Sequence, residues 1–250
     1  FRVTGDVRAI EKHLTSLAKD QVPFATALAL TKTAQFVQRK IIDEMSRAFD
    51  RPKKYTLNST WVRPATKRSL WAEVKIKDAA FKSAPPIRWI SHNIRGGGRK
   101  RKGFESALIR AGAMPANSWA VPSRFAMLDG HGNLATSEIN RMLSDLKARR
   151  DPLQNSTSAS RGRRKRSRTK RPTFYFSTYP VTPRTVHLKP GVYKRTHFGF
   201  GAAIKPVILF TGAQRYRKRF RFFEIAEQTG RMRWPIEFGL AMRQAMRTAR

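Results

Sequence analysis

The stretch PFATALALTKTAQFVQRKIIDEMSRAF, residues Pro23 to Phe49, decides the fold because it carries the longest uninterrupted helical signal in the chain. From Phe24 to Ala48, apolar or small residues recur three or four positions apart, which places them on one face of a helix. Pro52 then disfavours helical geometry in the residue before it. We therefore expect one helix of about 40 Å, at about 1.5 Å per residue, with the rest of the chain packed on it.

A short helix and two strands are predicted around this long helix. Alternating residues indicate strands at Leu57–Arg63 and Leu70–Lys77, connected by a turn at Pro64–Ser69. In the second strand Val74 and Ile76 share a face, and we expect that face to pack on the long helix near Val37 and Ile41. The short helix precedes the long one, is capped by Asp6, and carries one apolar stripe: Val7, Ile10, Leu14 and Leu17.

The middle of the chain, Asp78–Leu153, shows no clean strand alternation and is predicted to be an insertion between sheet strands. It contains two amphipathic segments that predict short helices, Phe104–Ala111 and Ala135–Arg149. Thr136 or Ser137 is the expected cap of the second helix. Between the two segments, DGHGN has the composition of a turn and lacks the carboxylate spacing of a calcium loop.

Strand signals return after residue 172, in FYFSTYPV, in TVHLKPGVYKRT and in AIKPVILFTG. Pro206 in the last of these predicts an edge strand or a strand start, because proline cannot donate to a ladder. Two helical segments close the chain, Gln214–Thr229 and Trp234–Arg250, and Pro235 predicts a kink or break between them. The predicted domains are thus a core of residues 1–77 and 172–250, the insertion at 78–153, and a basic arm at 154–171.

The charge is strongly one-sided: 52 Lys and Arg stand against 16 Asp and Glu, giving a formal charge of +36. At 250 residues and 40% hydrophobic composition the chain can still bury a real core. Self-repulsion on this scale weakens a compact monomer unless anions neutralise it. We therefore expect a polyanion, usually nucleic acid, or an acidic protein surface as the neighbour.

Two basic runs are the candidate contact sites for nucleic acid or an acidic partner. One lies in the arm, where eight of the eleven residues in RGRRKRSRTKR are basic, and we expect it to be an exposed, unpacked loop. The other follows a triple glycine that lacks the spacing of a phosphate-binding loop. The candidates are Arg161, Arg163, Arg164, Lys165, Arg166, Arg168, Lys170 and Arg171 in the first run, and Arg99, Lys100, Arg101 and Lys102 in the second.

Catalytic chemistry finds no support in the sequence. The five histidines are scattered without metal-ligand spacing, and no pair of carboxylates stands out for acid–base chemistry. The absence of cysteine excludes a thiol nucleophile, a disulfide framework and a cysteine zinc site. No apolar run approaches the length of a membrane span. We expect no enzyme, no cofactor, no metal and no membrane span.

Three stretches carry a resemblance to a known family: residues Phe49–Asp78, Gly96–Leu134 and Gly191–Phe210. In them the sequence resembles a virion family of tailed bacteriophages, the minor tail protein Z or tail-completion-like proteins, with relatives at the head–tail junction. The resemblance implies an α+β fold with N-terminal helices, a small mostly antiparallel sheet and a C-terminal helix. It also implies a homo-oligomeric ring around the DNA channel in the virion, assembled in the host cytoplasm beside other neck, tail or portal-proximal proteins.

Two functions remain open at this point. One is a structural ring subunit of the phage neck or tail, for which Leu70–Lys77 and Ala203–Thr211 are the candidate self-complementary edges. The other is a basic protein that coats or condenses DNA or RNA. Contact of the arm with DNA would be independent of base sequence. Contact with an acidic virion protein would instead leave the salt dependence of DNA binding unchanged when the arm is neutralised, and particle assembly would fail.

Overall fold

The structure is a computed structural model that describes residues 20–81, 84–166, 173–198 and 200–248. The helices are α1 (Val22–Ala48), α2 (Lys54–Leu57), α3 (Ile87–Arg95), α4 (Gly103–Arg110), α5 (Thr136–Asp145), α6 (Ser158–Arg166) and α7 (Phe222–Thr248), with a 3-10 turn at Pro152–Gln154. The strands are β1 (Thr60–Arg63), β2 (Glu73–Ile76), β3 (Gly97–Gly98), β4 (Trp119–Pro122), β5 (Thr173–Ser177), β6 (Gly191–Phe198), β7 (Gly201–Thr211) and β8 (Arg215–Tyr216). This content of long helices and small antiparallel sheets confirms the predicted α+β class.

The chain forms two compact units, Phe1–Gly96 with Arg217–Arg250, and Gly97–Tyr216. This division differs from the predicted one, in which β5, β6 and β7 shared a core with the terminal helices. Strand β4, which lies in the predicted insertion, pairs with β7, and so the insertion and the C-terminal strands form one sheet. Sequence patterns gave no sign of this pairing, because about 90 residues separate its partners, as in Trp119 and Thr211.

Helix α1 organises the first unit and confirms the long helix predicted from the sequence. Pro23 lies in its first turn, and Phe49 leaves the helix in an extended conformation. Its buried face combines alanines in the N-terminal half with Val37, Ile41 and Met45 in the C-terminal half. The predicted short helix before it lies outside the described residues.

Helix α7 packs antiparallel on α1. Ala25 and Ala29 near the start of α1 meet Ala241 and Ala245 near the end of α7, and all four are fully buried. Larger residues fill the other end of the pair, where Ile41 and Met45 of α1 cluster with Phe220 and Phe222. Alanine at the narrow end lets the two backbones approach closely.

Helix α7 continues through Pro235, contrary to the predicted break. Proline removes one helical hydrogen bond, a loss that packing on both sides of it can offset. Trp234 and Phe238 lie on either side of Pro235 with their ring centroids 5.3 Å apart, and both pack on the alanine cluster of the two helices. The predicted start at Gln214 is also wrong, because residues 215–216 form strand β8 and the helix begins at Phe222.

Strands β1 and β2 form an antiparallel ribbon on α1. Thr60 pairs with Ile76 and Val62 with Val74, and Ile76 and Val74 pack in one cluster with Val37 and Ile41, as predicted. Gln38 fixes the ribbon, since its side-chain amide donates to the Thr60 carbonyl at 3.2 Å. Strand β1 begins at Thr60 and not at Leu57, because residues 54–57 form α2, and β2 is also shorter than predicted.

In the second unit, four antiparallel strands form a sheet in the order β4-β7-β6-β5, and β3 pairs with β8 in a separate ribbon. Strand β7 is an inner strand at residues 208–211, but at Pro206 it pairs with β6 alone in the described chain, so the predicted edge is present there, within the strand. Pro206 opposes Tyr193 at a register shift, and it lies beyond Ile208, where pairing with β4 ends. The missing N–H is tolerated at these irregularities of the ladder.

Helices α4 and α5 contribute to the core of the second unit on one face of the sheet. Leu108 from α4 and Met142 from α5 are fully buried with Tyr175, Val192 and Val207 of the sheet. Helix α5 has Ala135 at its N-cap position and no side-chain cap, so the predicted Thr136 or Ser137 cap is wrong. It also ends at Asp145, four residues before the predicted end. In the described residues, no helix is long and apolar enough to cross a membrane.

Candidate nucleic-acid interface

The second unit is the candidate for polyanion contact because it has many basic residues and few acidic ones. Between residues 97 and 216 the sequence has 24 Lys and Arg against 5 Asp and Glu. The five acids are Glu105, Asp129, Glu138, Asp145 and Asp151. Whether this unit presents a basic surface depends on where these five carboxylates point.

Glu105 is fully buried and pairs with Arg99 through two hydrogen bonds of 2.8 and 2.5 Å. The backbone N–H groups of Lys102 and Ala120 donate to the same carboxylate. Burial raises the pKa of Glu105, but these hydrogen bonds outweigh that effect, so its pKa lies below the ordinary value of 4.5. The pair joins the start of α4 to strand β4.

Glu138 occupies a comparable place on α5. Its buried carboxylate accepts hydrogen bonds from the Tyr175 hydroxyl at 3.2 Å and from the Met127 N–H at 2.5 Å. Lys194 of β6 lies 3.4 Å from the same carboxylate. Burial, followed by the charge of Glu138, raises the pKa of the Tyr175 hydroxyl, which stays protonated as a donor.

Asp145, at the end of α5, anchors the basic helix. Its buried carboxylate accepts from Arg164 at 2.5 Å, from the Ser156 hydroxyl at 2.6 Å and from the Tyr175 N–H at 3.1 Å. Arg161 donates to the Asp145 carbonyl at 2.6 Å. Two arginines of α6 are therefore held against α5 rather than projecting into solvent.

The other two acids stabilise turns. Asp129 accepts from the N–H groups of His131 and Asn133, which confirms the turn predicted for DGHGN. Asp151 accepts from the N–H of Leu153 at the 3-10 turn. All five carboxylates of the second unit thus accept hydrogen bonds inside it, and the excess of basic side chains is left to its surface.

Helix α6 holds the described part of the predicted arm, residues Ser158–Arg166. The expectation of an unpacked loop is wrong here, because Asp145 supplies a buried counter-charge for Arg164 that composition could not reveal. Arg163, Lys165 and Arg166 are exposed, as a phosphate contact requires. Arg168, Lys170 and Arg171 lie outside the described residues.

The second predicted run also contains one arginine that is engaged inside the unit and several basic residues that are exposed. Arg99 is 8% exposed and its guanidinium is engaged by Glu105 and the Ala120 carbonyl, so it is not a surface contact. Lys100, Arg101 and Lys102 are exposed. Arg101 stacks on the Trp119 ring at 4.8 Å and donates to the Ala116 carbonyl.

The structure does not bring the two runs together. Arg99 bonds to Ala120 in β4, whereas Arg164 bonds to the Thr173 carbonyl in β5. Strands β4 and β5 are the opposite edges of the four-stranded sheet, about 14 Å apart at roughly 4.8 Å per strand. The two runs therefore lie at opposite edges of this sheet.

A set of aromatic rings lies beside α6 and was not predicted from the sequence. Phe174 and Phe176 of β5 share the sheet face that points away from the buried Tyr175. Arg164 lies 4.8 Å from the Phe174 ring, and the exposed Arg195 lies 5.7 Å from the Phe176 ring. The signal was present as alternation in TFYFS, but the pairing of β5 with β6 was needed to place Arg195 beside it.

No described group of three or more His, Asp or Glu side chains is arranged to hold a metal ion. Comparison with protein-family models, curated proteins and solved structures finds no match.

Proposed function

We propose that this chain is a structural subunit of the neck or tail of a tailed bacteriophage that assembles into a ring around the DNA channel. The observation that carries the proposal is that three of the five carboxylates in the second unit are buried and the other two accept backbone hydrogen bonds in turns. A surface with many exposed basic side chains and few free carboxylates suits a lumen that holds DNA. The family resemblance of three stretches supplies the virion setting.

The charge distribution supports non-specific contact with phosphates. Exposed Lys and Arg gain by displacing the counterions condensed on DNA, a gain that needs no base readout. Arg163, Lys165 and Arg166 lie at one sheet edge and Lys100 and Arg101 at the other. Two basic edges on each subunit, repeated around a ring, would line a channel with positive charge.

The ribbon of β1 and β2 supports self-assembly. Among the described residues each of these strands pairs only with the other, so neither outer edge carries a further strand, although Gln38 occupies the Thr60 carbonyl of β1. Trp61 and Trp71 are 42% and 46% exposed beside these edges. Lys75 and Arg63 stack on their rings at 5.1 and 4.5 Å.

Exposed tryptophans next to open strand edges are typical of interfaces between proteins. Of the two edges predicted for self-assembly, Leu70–Lys77 therefore stays a candidate. Ala203–Thr211 stays a candidate only in part, because β4 occupies β7 at residues 208–211, whereas residues 203–206 pair with β6 alone within the described residues.

The test is the mass of the full chain in solution, measured by light scattering in high and in low salt. We expect a closed oligomer of defined mass in the unmodified chain. The double substitution Trp61→Ser and Trp71→Ser should lower that mass toward the monomer without lowering the melting temperature. Phe223→Ser, which removes an exposed aromatic side chain from α7, is the matched control and should leave the oligomer intact.

The alternative, a protein that coats nucleic acid, makes the opposite prediction. A chain that stays monomeric at every salt concentration and saturates DNA in proportion to its length would contradict the ring. The aromatic and arginine pairs on β5 and β6 favour this alternative, because bases can stack on such rings.

A further inference from the structure

A groove of about 460 Å³ lies in the second unit between α5, the 3-10 turn and α6. Asn140, Arg141, Arg149 and Asn155 contribute to its lining, together with Arg164 and the paired Asp145. Its volume is in the range of small-molecule sites. Neither basic run predicted from the sequence includes Arg141 or Arg149.

Arg149 is the central cation of the groove. Its guanidinium donates to the Asn140 side-chain oxygen at 2.6 Å and to the Gln154 side-chain oxygen. Both acceptors are neutral, and among the described residues no carboxylate lies within salt-bridge distance of Arg149. Asp151 is one step further away, where it accepts from the Gln154 amide at 3.3 Å. The guanidinium of this half-buried arginine is oriented, but its charge is not neutralised.

The two asparagines present donors to the same space. The side-chain oxygen of Asn140 accepts from the Arg149 guanidinium. The side-chain oxygen of Asn155 accepts from the backbone N–H of Arg149 at 3.2 Å. With both oxygens engaged, the NH₂ groups of the two amides are the atoms left to donate. Their neighbour Arg141 is exposed and adds a second cation.

The one carboxylate in the lining, that of Asp145, would not repel a bound anion. Asp145 is fully buried, and its charge is matched by Arg164 and by donors from Ser156 and Tyr175. The groove thus offers two cations without a carboxylate partner and two amide donors. Phosphate oxygens only accept hydrogen bonds, and arginine is the side chain best matched to them.

We propose that this groove binds a phosphate group, with Arg149 and Arg141 supplying the charge and Asn140 and Asn155 donating hydrogen bonds. The volume admits a phosphate that still carries a sugar. The phosphate can therefore be free or part of a nucleic-acid backbone. Only the second source rests on the proposed function.

The first experiment measures binding of inorganic phosphate to the full chain by phosphorus NMR. Arg141→Gln and Arg149→Gln should each weaken binding about tenfold or more, as expected for the loss of a charge-assisted contact. Arg150→Gln removes the same charge from an exposed neighbour outside the groove lining and should change nothing.

Arg141→Gln is the decisive variant. Arg149 also makes structural hydrogen bonds to Asn140 and Gln154, so its replacement can weaken binding by disturbing the structure. Melting temperatures of all three variants separate loss of binding from loss of structure. Equal phosphate affinity in Arg141→Gln, Arg150→Gln and the unmodified chain would overturn the proposal.

The second experiment identifies the source with a short DNA duplex. If the phosphate is a backbone phosphate, free phosphate competes with the duplex and Arg141→Gln weakens both. If it is a free phosphate, Arg141→Gln weakens phosphate binding alone. Phosphate binding that depends on Arg141 in a chain that binds no DNA would support the groove while contradicting the proposed DNA contact.

Discussion

At the scale of single residues, the buried acids of the second unit show how a chain of charge +36 can still fold. Glu105, Glu138 and Asp145 are each fully buried, and each is paired with a lysine or arginine. A buried ion pair contributes little net stability, but removing one partner leaves an uncompensated charge. These acids therefore specify the arrangement of the unit more than they stabilise it.

We predict that Glu105→Gln destabilises the protein by about 3–5 kcal/mol at neutral pH, because it leaves Arg99 buried without its counter-charge. The pKa of Glu105 is lowered on folding, so its contribution is present above the unfolded-state pKa and is lost as the pH falls through the folded-state pKa. The difference in unfolding free energy between parent and variant should therefore shrink below about pH 4. Urea titrations across this range measure it.

Glu224→Gln is the control for this prediction, since Glu224 pairs with Lys218 at the surface and its loss should cause no measurable change. A Glu105→Gln variant as stable as the parent at neutral pH would show that the buried pair is dispensable.

The same residues mark the limit of what could be predicted from the sequence. The basic character of the second unit followed from composition, but the engagement of Arg99 and Arg164 did not. Asp145 and Arg164 are 19 positions apart, and Asp145 and the Tyr175 N–H are 30 apart. No local pattern relates such positions, because only the packed sheet brings them within hydrogen-bond distance.

At the scale of elements, Gly191 of β6 lies directly against the backbone of β7. A β-carbon added there would lie 2.2 Å from the Ile208 carbonyl oxygen, a backbone atom that cannot rotate away. We predict that Gly191→Ala forces the two inner strands apart and destabilises the protein by about 2–4 kcal/mol, as overpacking against a rigid neighbour does. Thermal unfolding measures this.

Gly98→Ala is the matched control, because its added β-carbon would meet only ordinary contact at 3.9 Å. Equal melting temperatures for the two alanine variants would contradict the close approach at Gly191.

Helices were predicted well where one face is continuous and poorly where tertiary contacts override local signals. Helix α1 matched its prediction within one residue at each end, because its apolar stripe runs unbroken between two prolines. Helix α7 was predicted as two pieces, since its apolar face changes along its length and Pro235 lies inside it. Ala241 and Ala245 pack on α1, whereas the larger apolar residues Ile236 and Leu240 are exposed.

At the scale of the whole molecule, the proposed DNA contact can involve either of two opposite sheet edges of the second unit. The exposed basic residues of the α6 edge are Arg163, Lys165 and Arg166. Those of the β4 edge are Lys100, Arg101 and Lys102. Each phosphate contact contributes about 0.7–0.9 to the slope of log affinity against log salt concentration. The two edges can therefore be compared by neutralising one at a time.

We predict that changing Arg163, Lys165 and Arg166 together to glutamine flattens this slope by about 2–3 units for duplex DNA of any sequence. Arg164 is left in place, because its bond to Asp145 anchors α6 and its loss would confound folding with binding. The triple glutamine variant of the β4 edge is the matched control, and a smaller change there would assign the DNA contact to α6. If neither variant alters the slope while particle assembly fails, the basic edges contact an acidic virion protein, and the DNA contact is excluded.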